Sequence, residues 1–101
     1  MTRKEKFHKV VLENRKYLQK LGIILIGIFG SVVRNEDRKE SDYDILVEFD
    51  KDKKSLKTFT ALCDLFEDHL GANFELITKE SLSPYLRPYI LEEVEYVKIA
   101  Y

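Results

Sequence analysis

The sequence predicts an α/β (α+β) fold, a few β-strands flanked by amphipathic helices, and three patterns carry that prediction. The first is an apolar run over residues 23–29, which reads as a buried strand. The second is the stretch 42–49, where strand alternation puts Asp42 and Asp44 on one face while Ile45, Val47 and Phe49 pack behind. The third is a pair of stretches, 3–20 and 56–70, in which apolar residues recur at helical spacing. A chain of 101 residues supports one modest core, so residues 1–101 are expected to form a single domain.

Composition narrows the class further. Hydrophobic residues make up 45% and charged residues 35%, the balance of a globular chain rather than a disordered one. A formal net charge of −1 argues against the broad basic surface that binds nucleic acid nonspecifically. The single cysteine, Cys63, excludes an internal disulfide and suits a reducing compartment. The longest apolar run is far short of a membrane span, and the charged N-terminus lacks the apolar segment of a secretory signal. These features predict a cytoplasmic protein with no membrane contact and no direct nucleic-acid partner.

Along the chain, Phe7, Val10, Val11, Leu18 and Leu21 give a helix over 3–20 one apolar face, closed by Gly22. His8 lies beside that face and reads as a surface or satisfied histidine rather than a ligand. The strand at 23–29 breaks at Gly30-Ser31. Gly30 permits close approach of the backbone to a ligand, and Ser31 either adds a hydroxyl donor or caps a short following helix. Arg34, one helical turn on, is placed either to meet a phosphate oxygen or to pair with an aspartate. Ser41 is expected to bond local backbone and fix the start of the second strand.

Residues 50–54 form a turn, and Ser55 caps a helix whose Leu56, Phe59, Leu62, Cys63, Phe66 and Leu70 make a core stripe ending at Gly71. Cys63 in that stripe is expected to be a small buried hydrophobe, not a nucleophile. His69 suits the negative end of the same helix. Residues 73–78 read as a third strand, with Phe74 and Leu76 on one face and Asn73, Glu75 and Ile77 on the other. Ser83-Pro84 opens a turn of helix, and Pro88 suits the first position of another helix running to Val94. Residues 96–101 are expected to add an edge strand. Tyr85, Tyr89, Tyr96 and Tyr101 load the last seventeen residues with aromatics, part for the core and part for an interface.

The chemistry concentrates in residues 26–49. Two carboxylates on one strand face repel each other unless a cation sits between them, and hard oxygen ligands suit Mg²⁺. A strand ending in Gly30-Ser31 aims free backbone N–H groups at an anion, most often phosphate. Ten residues separate that pair from Asp42. A phosphate cradle and metal carboxylates joined by a short loop point to a nucleoside triphosphate held for phosphoryl or nucleotidyl transfer.

The string GSVVR…SDYDILV, with Gly30-Ser31 ahead of Asp42 and Asp44 in an apolar frame, resembles the nucleotidyltransferases of the DNA polymerase β superfamily. It looks like their minimal, MNT-type branch, antitoxin-like proteins that pair with HEPN-domain toxins. The tail ELITKESLSPYLRPYILEEVEYV is similar to that branch as well, so the likeness covers roughly residues 20–100. The resemblance implies a polymerase β-like nucleotidyltransferase fold with a small mixed sheet. It implies that Glu75 joins Asp42 and Asp44 as a third catalytic and metal-binding carboxylate around two Mg²⁺ ions. Aspartate is commoner at that place, and an outward strand glutamate without a role is the competing reading of Glu75.

By the same resemblance, Gly30, Ser31 and Arg34 bind the phosphates of ATP; the polar, charge-mixed loop at 35–40 is expected to stay mobile until nucleotide arrives. The chain leaves no room for an acceptor domain, so the acceptor comes on another molecule. The resemblance makes that molecule a HEPN toxin, bound in a hetero-oligomer, whose tyrosine receives AMP from ATP. The implied function is therefore that of a protein adenylyltransferase antitoxin. The alternative is a catalytically weak nucleotide-binding module that neutralises the toxin by covering it.

Overall fold

Two helical segments open the chain, α1 over Arg3–Glu13 and α2 over Arg15–Lys20, in a computed structural model that describes residues 1–71 and 73–99. Thr2 and Glu5 form a reciprocal capping box at the start of α1, satisfying two N–H groups that the first turn leaves free. The single helix expected over 3–20 is interrupted at Asn14. The Asn14 side-chain amide donates to the Val10 carbonyl at 2.8 Å, and its backbone N–H is shared between the Val10 and Val11 carbonyls. An asparagine side chain that bonds local backbone competes with the helical ladder, and here it ends one helix and starts the next. The apolar face survives the break, with Phe7, Val10, Val11 and Leu18 all buried.

Strand β1 covers Ile23–Phe29 and β2 covers Tyr43–Phe49, two residues longer at its start than the apolar segment at 45–49 indicates. After the turn at 50–54, Ser55 caps α3, Leu56–Leu70, through a reciprocal pair of bonds with Thr58. Strand β3 covers Phe74–Thr78, followed by a single 3-10 turn at Lys79–Ser81. Helix α4, Arg87–Glu93, has Pro88 in its first turn, where a missing N–H costs nothing. Strand β4 is only Glu95–Tyr96, shorter than the edge strand expected at 96–101, whose last two residues lie outside the described ones.

The four strands form one mixed sheet in the order β3-β2-β1-β4. β1 is antiparallel to both of its neighbours, β2 and β4, while β2 and β3 run parallel with α3 as the crossover. Gly27 sits where the end of α4 and β4 cross β1. A side chain there would meet Val94, the Glu95 carbonyl and Tyr96.

The sheet has two unlike faces. Tyr43, Ile45, Val47 and Phe49 of β2 join Ile26 and Ile28 of β1 beneath α1 and α3, where Phe7 and Phe66 stack with ring centroids 5.9 Å apart. This is the main core, and each fully buried side chain of that size contributes about 1.5–3 kcal/mol. On the other face, Phe29, Leu46 and Leu82 form a smaller cluster, completed by Ile77 of β3 and by Ile90, Leu91 and Val94 around α4. Among the described residues no helix is long and apolar enough to cross a membrane.

Candidate active site

The smaller face also carries the acids. Alternation in β2 turns Asp44 and Glu48 to the side of Leu46, and Asp42 stands just ahead of the strand, one residue before the buried Tyr43. In the parallel register Asp44 is the direct partner of Glu75 on β3, and in the antiparallel register it faces Phe29, the last residue before Gly30. Three chain segments distant in sequence thus bring Gly30, Asp44 and Glu75 to the same end of the sheet. Asp42 and Glu75 are exposed, and Asp44 is half-buried.

Charge registers this closeness. Burial, then the neighbouring Glu75 and Asp42 carboxylates, push Asp44 above the usual carboxylate range, while Arg34 acts in the opposite direction. An uncompensated cluster of hard oxygen donors is the chemistry a divalent cation of the Mg²⁺ type selects. Among the described residues no three His, Cys, Asp or Glu side chains stand in a ready-made ligand group. The acids share a face and an electrostatic field without closing around a point.

Gly30 has φ +80, a left-handed conformation that glycine adopts without strain, and a Cβ on it would overlap the Asp44 carboxylate. Its role is therefore to let the turn lie directly against that acid. The helix expected after Ser31 is instead a single turn. The Arg34 N–H donates to the Gly30 carbonyl at 3.2 Å, the Glu36 N–H reaches the Ser31 carbonyl at 2.9 Å, and Asn35 stops the turn at φ 58. Asparagine tolerates that left-handed position better than most residues. Among the described residues the N–H groups of Ser31, Val32 and Val33 have no partner within the protein. They are the free donors an anion cradle needs.

Two residues of the site escape motif reading. Glu93, at the end of α4, accepts the Gly30 N–H at 3.2 Å through Oε2 and the Arg34 guanidinium through Oε1. That pairing, first as a hydrogen bond and then as a charge, raises the Arg34 pKa. Within the protein Arg34 pairs with glutamates rather than an aspartate: with Glu93, and through Nε with Glu36 at 3.2 Å. The clue was a carboxylate at the C-terminal end of a helix, where the dipole disfavours negative charge unless donors compensate it. Arg3 is the other. It donates to the Arg38 carbonyl at 3.1 Å and to the Ser41 carbonyl, reaches Asp37 at 3.5 Å, and lies 4.5 Å over the Tyr43 ring. Ser41 adds the local bond expected of it, accepting the Arg38 N–H at 2.8 Å. Arg3 and Ser41 thus link the loop at 35–40 to the residues that open β2.

With this geometry in place, comparison with known proteins decides the class. The profile of the nucleotidyltransferase domain family matches residues 8–97. The chain belongs to that family. Its match runs from inside α1 to just past β4, so the nucleotidyltransferase domain includes both sheet faces and α4. Among relatives, the protein adenylyltransferase MntA of Thermococcus cleftensis is 37% identical over 94 residues, covering 92% of this chain and 94% of its own. A protein assigned as a protein adenylyltransferase in Methanocaldococcus jannaschii is 40% identical over 92 residues, covering 89% of this chain and 87% of its own. A solved structure assigned as a minimal nucleotidyltransferase superimposes with a TM-score of 0.70 at 28% identity, over 87% of this chain and 93% of that one. The same fold occurs in a toxin–antitoxin structure with AMP-PNP, at a TM-score of 0.64 and 21% identity over 93% of this chain and 71% of that one. The resemblance read from GSVVR…SDYDILV holds at the level of family and fold, and the nucleotidyltransferase domain is an enzyme domain.

Proposed function

We propose that this nucleotidyltransferase transfers AMP from ATP to a hydroxyl of a partner protein, a tyrosine of a HEPN-domain toxin, and thereby acts as its antitoxin. The observation that carries this reading is the near full-length match to a protein adenylyltransferase, 37% identical over 92% of the chain. The fold shared with an MNT antitoxin solved in complex with a tri-AMPylated HEPN toxin of Shewanella oneidensis, at a TM-score of 0.52, 21% identity and coverage of 83% of this chain and 68% of that one, is consistent with it.

In this reading the N–H groups of Ser31, Val32 and Val33 and the Ser31 hydroxyl bind the triphosphate beside Arg34. Asp42, Asp44 and Glu75 are the residues that would hold Mg²⁺. When bound, divalent cations neutralise the triphosphate and make a hydroxyl a better nucleophile. The acceptor oxygen forms a bond to the α-phosphorus, the α–β bridging bond breaks, and pyrophosphate leaves with that electron pair. In this reading Glu75, exposed on β3, takes the acceptor's proton. The acceptor itself must arrive on the partner. A recess lined by Asn14, Tyr17, Ala61, Asp64, Leu65 and Asp68 lies among the helices over the main core, away from the acids, and serves no step.

The test is transfer of label from α-labelled ATP with Mg²⁺ to the HEPN protein encoded with this chain. The expected result is a labelled partner, and no label with the Asp42→Asn/Asp44→Asn variant. A partner that binds and is neutralised without label overturns the enzymatic reading in favour of occlusion.

A further inference from the structure

We propose that Glu93 is a positioning residue that braces the phosphate-binding turn from α4. The inference rests on reading Gly30–Arg34 as that turn. One carboxylate spans the turn's two ends, taking the Gly30 N–H at 3.2 Å on one oxygen and the Arg34 guanidinium on the other. The backbone joins the same two residues, since the Arg34 N–H closes on the Gly30 carbonyl at 3.2 Å. Between these anchors lie Ser31, Val32 and Val33, whose N–H groups are left free.

A lone turn needs such a brace. A helix would hold its first N–H groups in place through the ladder that follows, but here the left-handed Asn35 ends the turn, and its backbone closures stop at Glu36. The brace is itself fixed to the body of the protein. Ile90, Leu91 and Val94 anchor α4 in the smaller cluster, and the missing side chain of Gly27 lets Val94 and Tyr96 seat against β1. Glu93 therefore transmits the position of the sheet to the turn. It also explains why a carboxylate sits at the end of a helix whose dipole opposes it.

The rival reading is a competitor: a carboxylate lodged among anion donors that nucleotide must expel. The two readings predict opposite signs. The decisive measurement pairs amide hydrogen exchange of the nucleotide-free protein with AMP-PNP binding, in wild type, Glu93→Ala and Glu93→Gln. A brace predicts faster exchange at Gly30 and Arg34 in Glu93→Ala and AMP-PNP binding weaker by about tenfold, the scale of one charge-assisted hydrogen bond. Glu93→Gln keeps a neutral acceptor for Gly30 and should fall between. Melting temperature should move little in either variant, which separates positioning from a general loss of stability. Unchanged exchange, or AMP-PNP binding that is equal or tighter in Glu93→Ala, overturns the brace. A wild type that binds no AMP-PNP defeats the nucleotidyl-transfer reading instead, and the exchange comparison alone then decides whether Glu93 holds the turn.

Discussion

The two faces of the sheet are made from the same strands and obey opposite rules. Along β2, Tyr43, Ile45, Val47 and Phe49 enter a dry core under α1 and α3, while Asp44 and Glu48, one residue out of step, stand on a face covered only in part by α4 and the 3-10 turn. The first face gains free energy by removing apolar surface from water. The second keeps acids close enough to raise the proton affinity of Asp44, which costs stability and makes sense only if a cation or substrate relieves it. One strand thus gives its odd-numbered residues to the main core, while its even-numbered face carries Asp44 beside the buried Leu46.

Substitutions can break this contrast, and the largest effect is expected on the chemical face. Asp44→Asn should lower AMP transfer by on the order of 10²–10³-fold or more, the scale of losing one preorganised electrostatic group. Yet it should raise the melting temperature of the nucleotide-free protein at neutral pH, because the repelled charge is gone. The pH dependence follows from the same shift. Asp44 binds its proton more tightly folded than unfolded, so its contribution to stability is full below the ordinary carboxylate pKa and is lost as pH rises through the raised value. Subtracting the Asp44→Asn melting curve from that of wild type across this window isolates it from Glu5 and Glu80, whose pKa values move the other way. A variant that melts lower than wild type at neutral pH would contradict the contrast.

On the packing face the order reverses. Phe66 is fully buried against Phe7 and Phe74, so Phe66→Ala should cost about 3–5 kcal/mol by denaturant unfolding. At temperatures where that variant stays folded, its KM for ATP should be close to wild type. Gly30→Ala tests the seam between the faces. Its φ of +80 and its contact with Asp44 mean that even one methyl group is strained, and a loss of about 1–3 kcal/mol is expected together with reduced transfer. The smallest effect belongs far from both: Ser55→Ala removes the α3 cap and should cost about 1 kcal/mol with transfer unchanged. A Ser55→Ala enzyme with altered transfer would mean that α3 communicates with the site.

Much of this arrangement was legible residue by residue. The apolar run at 23–29 is largely buried, with Ile24 facing solvent, and the Ser55 cap forms as expected. The α3 stripe buries Leu62 and Phe66 but leaves Leu56 at its start exposed. The two-residue period turns Asp44 away from Ile45, Val47 and Phe49, with Asp42 just ahead of the strand. The breaks were harder to see. Asn14 divides the first helix because a side-chain amide outbids the ladder, and the left-handed Asn35 keeps the Gly30-Ser31 turn from growing into a helix. Neither event changes hydrophobic periodicity, so neither leaves a mark in it. Cys63 is a similar case of partial agreement. It lies in the core stripe but is only half-buried, its thiol pushed up by burial and by Asp64 and Glu67, which fits an unreactive side chain.

By itself the sequence determined which residues are apolar, at what period they recur, and which short string carries acids beside a glycine-serine break; those are local properties of the chain. Only the tertiary structure decided that Glu75 stands beside Asp44, that Arg3 ties down the loop ahead of Asp42, and that Glu93 reaches Gly30 and Arg34 from 63 and 59 residues away. Contacts of that kind depend on strand register and on how α4 seats against β1. Those are set by the packing of the whole sheet, and no local pattern encodes them.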